Sequence, residues 1–184
     1  MAARKNGNTK VTTGKVRLSW PHLFEAYSFE DEDPKYSTML LIPKSDTKTY
    51  QALRDAEDAA KQRGKESVWG GKIPNDLNSI IKDGDEVADD YPERAGHWYM
   101  AVRSKNRPGV VDRDVQPITD QSEIYSGVYA RVSISAFPYK FGGTRGVSFG
   151  LNNVQKIADG ESLGGATRAE EDFDALDEED EDLL

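Results

Sequence analysis

The sequence predicts a mainly β protein: a small, partly open antiparallel barrel of five or six strands with one inserted α-helix and disordered termini. Three observations lead there. Short stretches alternate apolar and polar residues with period two. Turns carrying Gly and Pro separate these stretches. One segment alone shows helical spacing, and it falls between the second and third strands.

Residues 1–8, "MAARKNGN", read as a flexible basic arm, and residues 9–158 as the folded domain. In "TKVTTGKVRLSW" (9–20), Val16, Leu18 and Trp20 share one face of a strand, with Lys15, Arg17 and Ser19 on the other. Pro21 is expected to end that strand or place it at an edge. "EDEDP" (30–34) is a solvated turn, and "YSTMLLIP" (36–43) a buried strand. The helix is expected over 46–63. Ser45 or Asp46 caps it, Tyr50, Leu53, Ala56 or Glu57, and Ala60 form its stripe, and Gly64 closes it. Residues 64–96 form a long connection with a short helix near Leu77–Ile81. "HWYMAVRSK" (97–105) alternates again, with Trp98, Met100 and Val102 inward. "PGVVDRD" (108–114) is a turn and a short strand. In "GVYARVSISAFPYKF" (127–141) the even positions Val128, Ala130, Val132, Ile134 and Ala136 are small or apolar. "GGT" (142–144) turns the chain into a last strand, "RGVSFGLNNVQKI". A linker (159–168) and an acidic tail (169–184) follow.

Charge is unevenly spread. The chain carries 24 Lys+Arg against 33 Asp+Glu, a net −9. Ten of the acids lie in the last sixteen residues, so residues 1–168 are close to neutral. Residues 1–24 and 124–158 contain basic side chains and no acid. Cysteine is absent, which excludes disulfides and thiolate metal sites and fits a reducing cytoplasm. No run approaches the roughly 18–20 apolar residues of a membrane span.

Catalytic signatures are missing. His22 and His97 have no metal-ligand spacing, and "GGK" at 70–72 is no phosphate loop. No cofactor is expected, and the chain reads as not an enzyme. The acids of "KDGDEVADDYPE" and "DRD", Asp112 and Asp114 among them, leave a metal-dependent nuclease open as a lesser alternative.

Binding is the stronger reading. Tyr129, Arg131, Phe137 and Tyr139 fall on the outer face of one strand, and Tyr99, Arg103 and Lys105 on that of another, with Arg107 following. Exposed rings could simply pack under loops. Interleaved with cations, however, they match what an unpaired nucleic-acid strand requires: charge for phosphates and flat faces for bases. Tyr99, Tyr129, Phe137, Tyr139 and Phe141 are the candidate stacking residues. Lys15, Arg17, Arg103, Lys105, Arg107, Arg131, Lys140 and Arg145 are the candidate phosphate contacts. All are expected on one open wall. The tail can imitate a polyanion and occupy that wall, and Phe173, Leu176, Leu183 and Leu184 are its apolar docking points.

The stretch "PGVVDRDVQPITDQSEIYSGVYARVSISAFPYKFGGTRGVSFGLNNVQKI", above all "IYSGVYARV", resembles the phage single-stranded DNA-binding proteins built on an OB fold. "YSTMLLIPK" with the helix after it, and the acidic tail, resemble them too. The likeness covers about 150 residues. It implies a protein that coats single-stranded DNA in phage replication and recombination, in the bacterial host cytoplasm, with a tail that recruits replication or recombination proteins. Relatives finish on Phe, whereas this chain ends Leu183–Leu184. An accessory module working mainly through its tail, and a homodimer, stay open.

Overall fold

The computed structural model describes residues 8–164 and 172–175. It holds eight strands in one sheet and one α-helix. β1 (Lys10–Thr12) and β2 (Val16–Tyr27) are followed by β3 (Lys35–Pro43) and α1 (Thr47–Ser67). β4 (Lys82–Asp83), β5 (His97–Ser104), β6 (Gly109–Val111), β7 (Tyr129–Phe141) and β8 (Thr144–Ala158) complete the order. β7, β2, β3, β5 and β8 pair in that sequence, and β7–β8 pairing closes the ring. β5 and β8 run parallel, and the other neighbours in the ring are antiparallel. This is an OB-fold-like five-stranded barrel; β1, β4 and β6 are short additions to it.

Period-two alternation builds the interior. Ala130, Val132, Ile134 and Ala136 of β7 are buried with Leu40 and Ile42 of β3, Met100 and Val102 of β5, and Val147, Phe149 and Leu151 of β8. α1 packs against β7, β1 and β8. Leu53, Ala56, Glu57 and Ala60 lie on its buried stripe, at the spacing that returns a helix to one face. The Asp46 carboxylate caps it, accepting from the Thr49 amide at 3.1 Å. Glu57, although buried, is held by Arg54 at 3.0 Å and by the Ser79 hydroxyl at 2.7 Å. No helix among the described residues is long and apolar enough to cross a membrane.

Several local expectations are corrected. Trp20 does not share the core face with Val16 and Leu18; it is 63% exposed. Its φ of +51° places it in a β-bulge, where the extra residue breaks the alternation. β2 does not stop at Pro21 but continues to Tyr27. The helix passes Gly64 and ends at Ser67. Leu77–Ile81 forms no helix, because Ile81 turns into the core and Ser79 bonds to Glu57 instead. The strand expected over 108–114 stops at Val111. There the Asp112 carboxylate accepts from the amides of Asp114 and Gln116 and folds a turn. Residues 159–164, expected as the start of a linker, lie against the barrel. The Leu163 amide donates to the Ser126 carbonyl at 2.9 Å, and the Gly160 amide donates to the Tyr125 hydroxyl at 3.0 Å.

Candidate nucleic-acid interface

Register determines which outward side chains meet. Lys82, Tyr99, Leu41, Arg17 and Tyr129 follow one another across β4, β5, β3, β2 and β7. Two residues along, Met39 stands opposite Ala101, and beyond it Ser37 opposite Arg103. Arg103 then faces Gly150 of β8 across the parallel pair.

A groove follows the outer face of β5. At one end it is lined by Met39, Ile80, Lys82, Tyr99 and Arg103. It continues past Arg103 and Ser148 to Lys35, Lys105, Phe137 and Tyr139. Tyr99, Arg103, Lys105, Phe137 and Tyr139, widely separated in the chain, therefore share one depression. Phe137 is 44% exposed. Tyr139 packs against its β8 partner Gly146, where an added Cβ would come within 3.1 Å of the Tyr139 hydroxyl. A larger residue there would lift the ring. Among the described residues, Lys35, Lys82, Arg103 and Lys105 have no carboxylate partner, so the groove is positive.

The remaining candidates lie elsewhere. Arg107 stands over the Phe24 ring at 5.7 Å. Lys140 and Phe141 flank the β7–β8 turn, and Phe141 is 84% exposed. Arg145, on the same hairpin, is paired with Asp76 at 3.2 Å. Arg131 is on the outer face of β7 but at the other end of the strand from Phe137 and Tyr139, where its Nε donates to the Thr13 carbonyl beside Thr12, Val111 and Asn153.

Tyr129, Lys15 and Arg17 form a second cluster at the β2–β7 seam. Lys15 Nζ is 5.2 Å and the Arg17 guanidinium 5.4 Å from the Tyr129 ring centroid. The segment after β8 covers this ring: a Cβ on Gly160 would sit 2.7 Å from it. Arg17 donates to the carbonyls of Gly127 and Glu161, which holds the covering segment down. The seam lies three strand spacings from Tyr99, about 14 Å around the wall. Leu41 points outward between them and is nevertheless fully buried, so the wall is not open there. The expected single wall is thus corrected to an open groove, a covered seam, and outlying Arg131 and Arg145. The alternation shows which residues face outward; it is blind to what later covers them.

Other groove residues escaped the sequence. Ile80, Lys82 and Lys35 come from loops and strand ends without a motif. The β2–β3 hairpin adds a stack of His22 on Tyr27, centroids 4.5 Å apart, with Phe29 edge-on to Tyr27 at 5.1 Å. Tyr91 and Arg94 belong to the loop before β5, and the Arg94 guanidinium is 4.5 Å from the Tyr99 ring centroid. Lys44 fastens that loop, reaching Asp83 and Asp85 at 2.6 Å each. Its hydrogen bonds hold both carboxyls below the usual carboxylate range, and they raise Lys44 itself. Among the described residues no cluster of His, Asp or Glu could hold a metal ion. Phe173 is exposed; Leu176, Leu183 and Leu184 lie outside the described residues.

Comparison with known proteins gives a consistent pattern. A family model described as the ssDNA-binding protein of Enterobacter phage Enc34 matches residues 9–184. Protein p50 of Acyrthosiphon pisum secondary endosymbiont phage 1 is 34% identical over 188 residues, spanning 95% of this chain and 98% of that protein. Among solved structures, the bacteriophage Enc34 single-stranded DNA-binding protein in complex with ssDNA superposes with a TM-score of 0.75 at 28% identity, covering 85% of this chain and 90% of that one. The single-stranded DNA-binding protein of bacteriophage T7 shares the fold, with a TM-score of 0.61 at 16% identity over 94% of this chain and 97% of that one.

Proposed function

The chain belongs to the family of the Enterobacter phage Enc34 ssDNA-binding protein, and from that membership we propose that it binds single-stranded DNA along the β5 groove, with little regard to sequence. The observation that carries the reading is the meeting of Tyr99, Phe137 and Tyr139 with unpaired Lys35, Lys82, Arg103 and Lys105 in one open depression. Unpaired bases stack on the rings, each contributing about 1–3 kcal/mol with little dependence on base identity. The ammonium and guanidinium groups neutralise phosphates and release counterions. Duplex DNA keeps its base faces stacked internally and gains only the charge interaction. The His22–Tyr27–Phe29 stack is a further platform at the β2–β3 hairpin.

In this reading the protein protects single strands during phage replication and recombination in the host cytoplasm, and it is not an enzyme. Asp112, engaged in a backbone turn, does not favour the nuclease alternative. The tail, with its ten acids, competes with DNA for the groove and recruits replication or recombination proteins. Fluorescence titration with oligo-dT and with duplex of equal length tests the core of this. Affinity for oligo-dT should exceed that for duplex and fall steeply with salt. Removing residues 169–184 should tighten oligo-dT binding at low salt. Equal affinity for both forms would reject the groove as a stacking site.

A further inference from the structure

We propose that Arg94, stacked between Tyr91 and Tyr99, is a phosphate-binding site that takes a phosphodiester of single-stranded DNA at the Tyr99 end of the groove. The inference rests on the DNA-binding reading above and adds to it a site and a residue that alternation could not reveal.

Arg94 is 8% exposed, an unusual position for a cation. Burying a guanidinium is costly unless an anion and hydrogen bonds compensate it. Among the described residues Arg94 has no carboxylate partner, and its Nε is sealed from solvent with no hydrogen-bond acceptor. What it has instead is two rings. Its Cζ is 3.8 Å from the Tyr91 centroid and 4.5 Å from that of Tyr99. Ring faces attract a cation and hold it flat, but they accept none of its directional N–H bonds in full. The terminal Nη1 and Nη2 likewise have no hydrogen-bond acceptor among the described residues, and that end of the fork suits bidentate recognition of a phosphate.

Placement matches that chemistry. Arg94 closes the short turn Pro92–Arg94, and its carbonyl is packed so closely on Gly84 that a Cβ there would lie 2.1 Å away. The loop is thereby fixed against β5. Tyr99, which Arg94 touches, lines the groove beside Lys82 and Arg103. Tyr99 meets Arg94 at its ring while still lining the groove. A strand stacked on Tyr99 thus passes a preoriented, uncompensated cation.

The test uses the full-length chain with Arg94→Met and Arg94→Lys. Methionine fills the space between the rings without charge. If the site is a phosphate receptor, Arg94→Met leaves the melting temperature of the free protein unchanged or raised. Its oligo-dT affinity drops about tenfold at low salt. The plot of log affinity against log salt becomes shallower by about 0.7, one phosphate contact on a single strand. Arg94→Lys restores that slope while recovering only part of the affinity, because a point charge lacks the fork. Wild-type affinity and slope in Arg94→Met, with a lowered melting temperature, would make Arg94 a structural clamp and overturn the proposal. Failure of the wild-type chain to bind oligo-dT at all would instead overturn the DNA-binding reading itself.

Discussion

Tyr99 and Tyr129 are both outward-facing tyrosines beside cations, and the barrel treats them oppositely. Tyr99 lines an open groove with Arg103, while Phe137 and Tyr139 reach the same groove from a hairpin. Tyr129 lies beneath Gly160 and Glu161, and its neighbour Arg17 has donated to backbone carbonyls. The lesson concerns competition. A ring and a cation form a binding surface only where the rest of the chain leaves them free. At the seam the same pair of groups recruits the protein's own C-terminal segment. The groove stays open because its cations have no internal acid to close on.

The sharpest way to break this comparison is to remove two groove rings. Tyr99→Ala with Phe137→Ala should weaken oligo-dT binding by about a hundredfold or more, the loss of two stacked bases. Direct titration at low salt reads it, and affinity within threefold of wild type would mean that the groove is not the stacking surface. Tyr129→Ala should behave differently. It should lower stability by about 1–2 kcal/mol through lost packing of the covering segment. Its oligo-dT affinity should stay within about threefold of wild type. Denaturant unfolding beside the same titration separates the two; a loss in binding of about tenfold or more would erase the distinction between groove and seam. The smallest effect concerns the loop that carries Tyr91 and Arg94. Asp83 and Asp85 titrate below the usual carboxylate range because Lys44 donates to both. Their contribution is therefore complete above that range and is lost as pH falls through the lowered values. Lys44→Met should melt slightly below wild type at neutral pH, and the gap should close in acid once both carboxyls are protonated. A gap that persists in acid would show that Lys44 acts through its ammonium over the Trp98 ring, 4.7 Å from the centroid, and not through the two carboxylates.

Much of this was legible beforehand, and the reason differs by element. β7 was readable because Ala130, Val132, Ile134 and Ala136 need only their own strand's alternation to face inward. The body of α1 was readable because its cap and stripe are local in the chain. Trp20 departs from the alternation because one left-handed residue shifts the period for everything near it. The groove was half legible. Phe137, Tyr139, Arg103 and Lys105 carry the ring-and-cation pattern, whereas Lys35, Lys82 and Ile80 carry no pattern and arrive from loops and strand ends.

The sequence by itself determined which side chains of β5 and β7 point into the barrel, where the body of the helix runs, and that the cations and acids are segregated along the chain. Those properties depend on neighbours two to four positions away. Only the tertiary structure decided which outward residues share a groove and which are covered, because that rests on strand register and on the return of residues 159–164 to the barrel. Both are contacts between positions tens of residues apart, whose free energy no local pattern encodes.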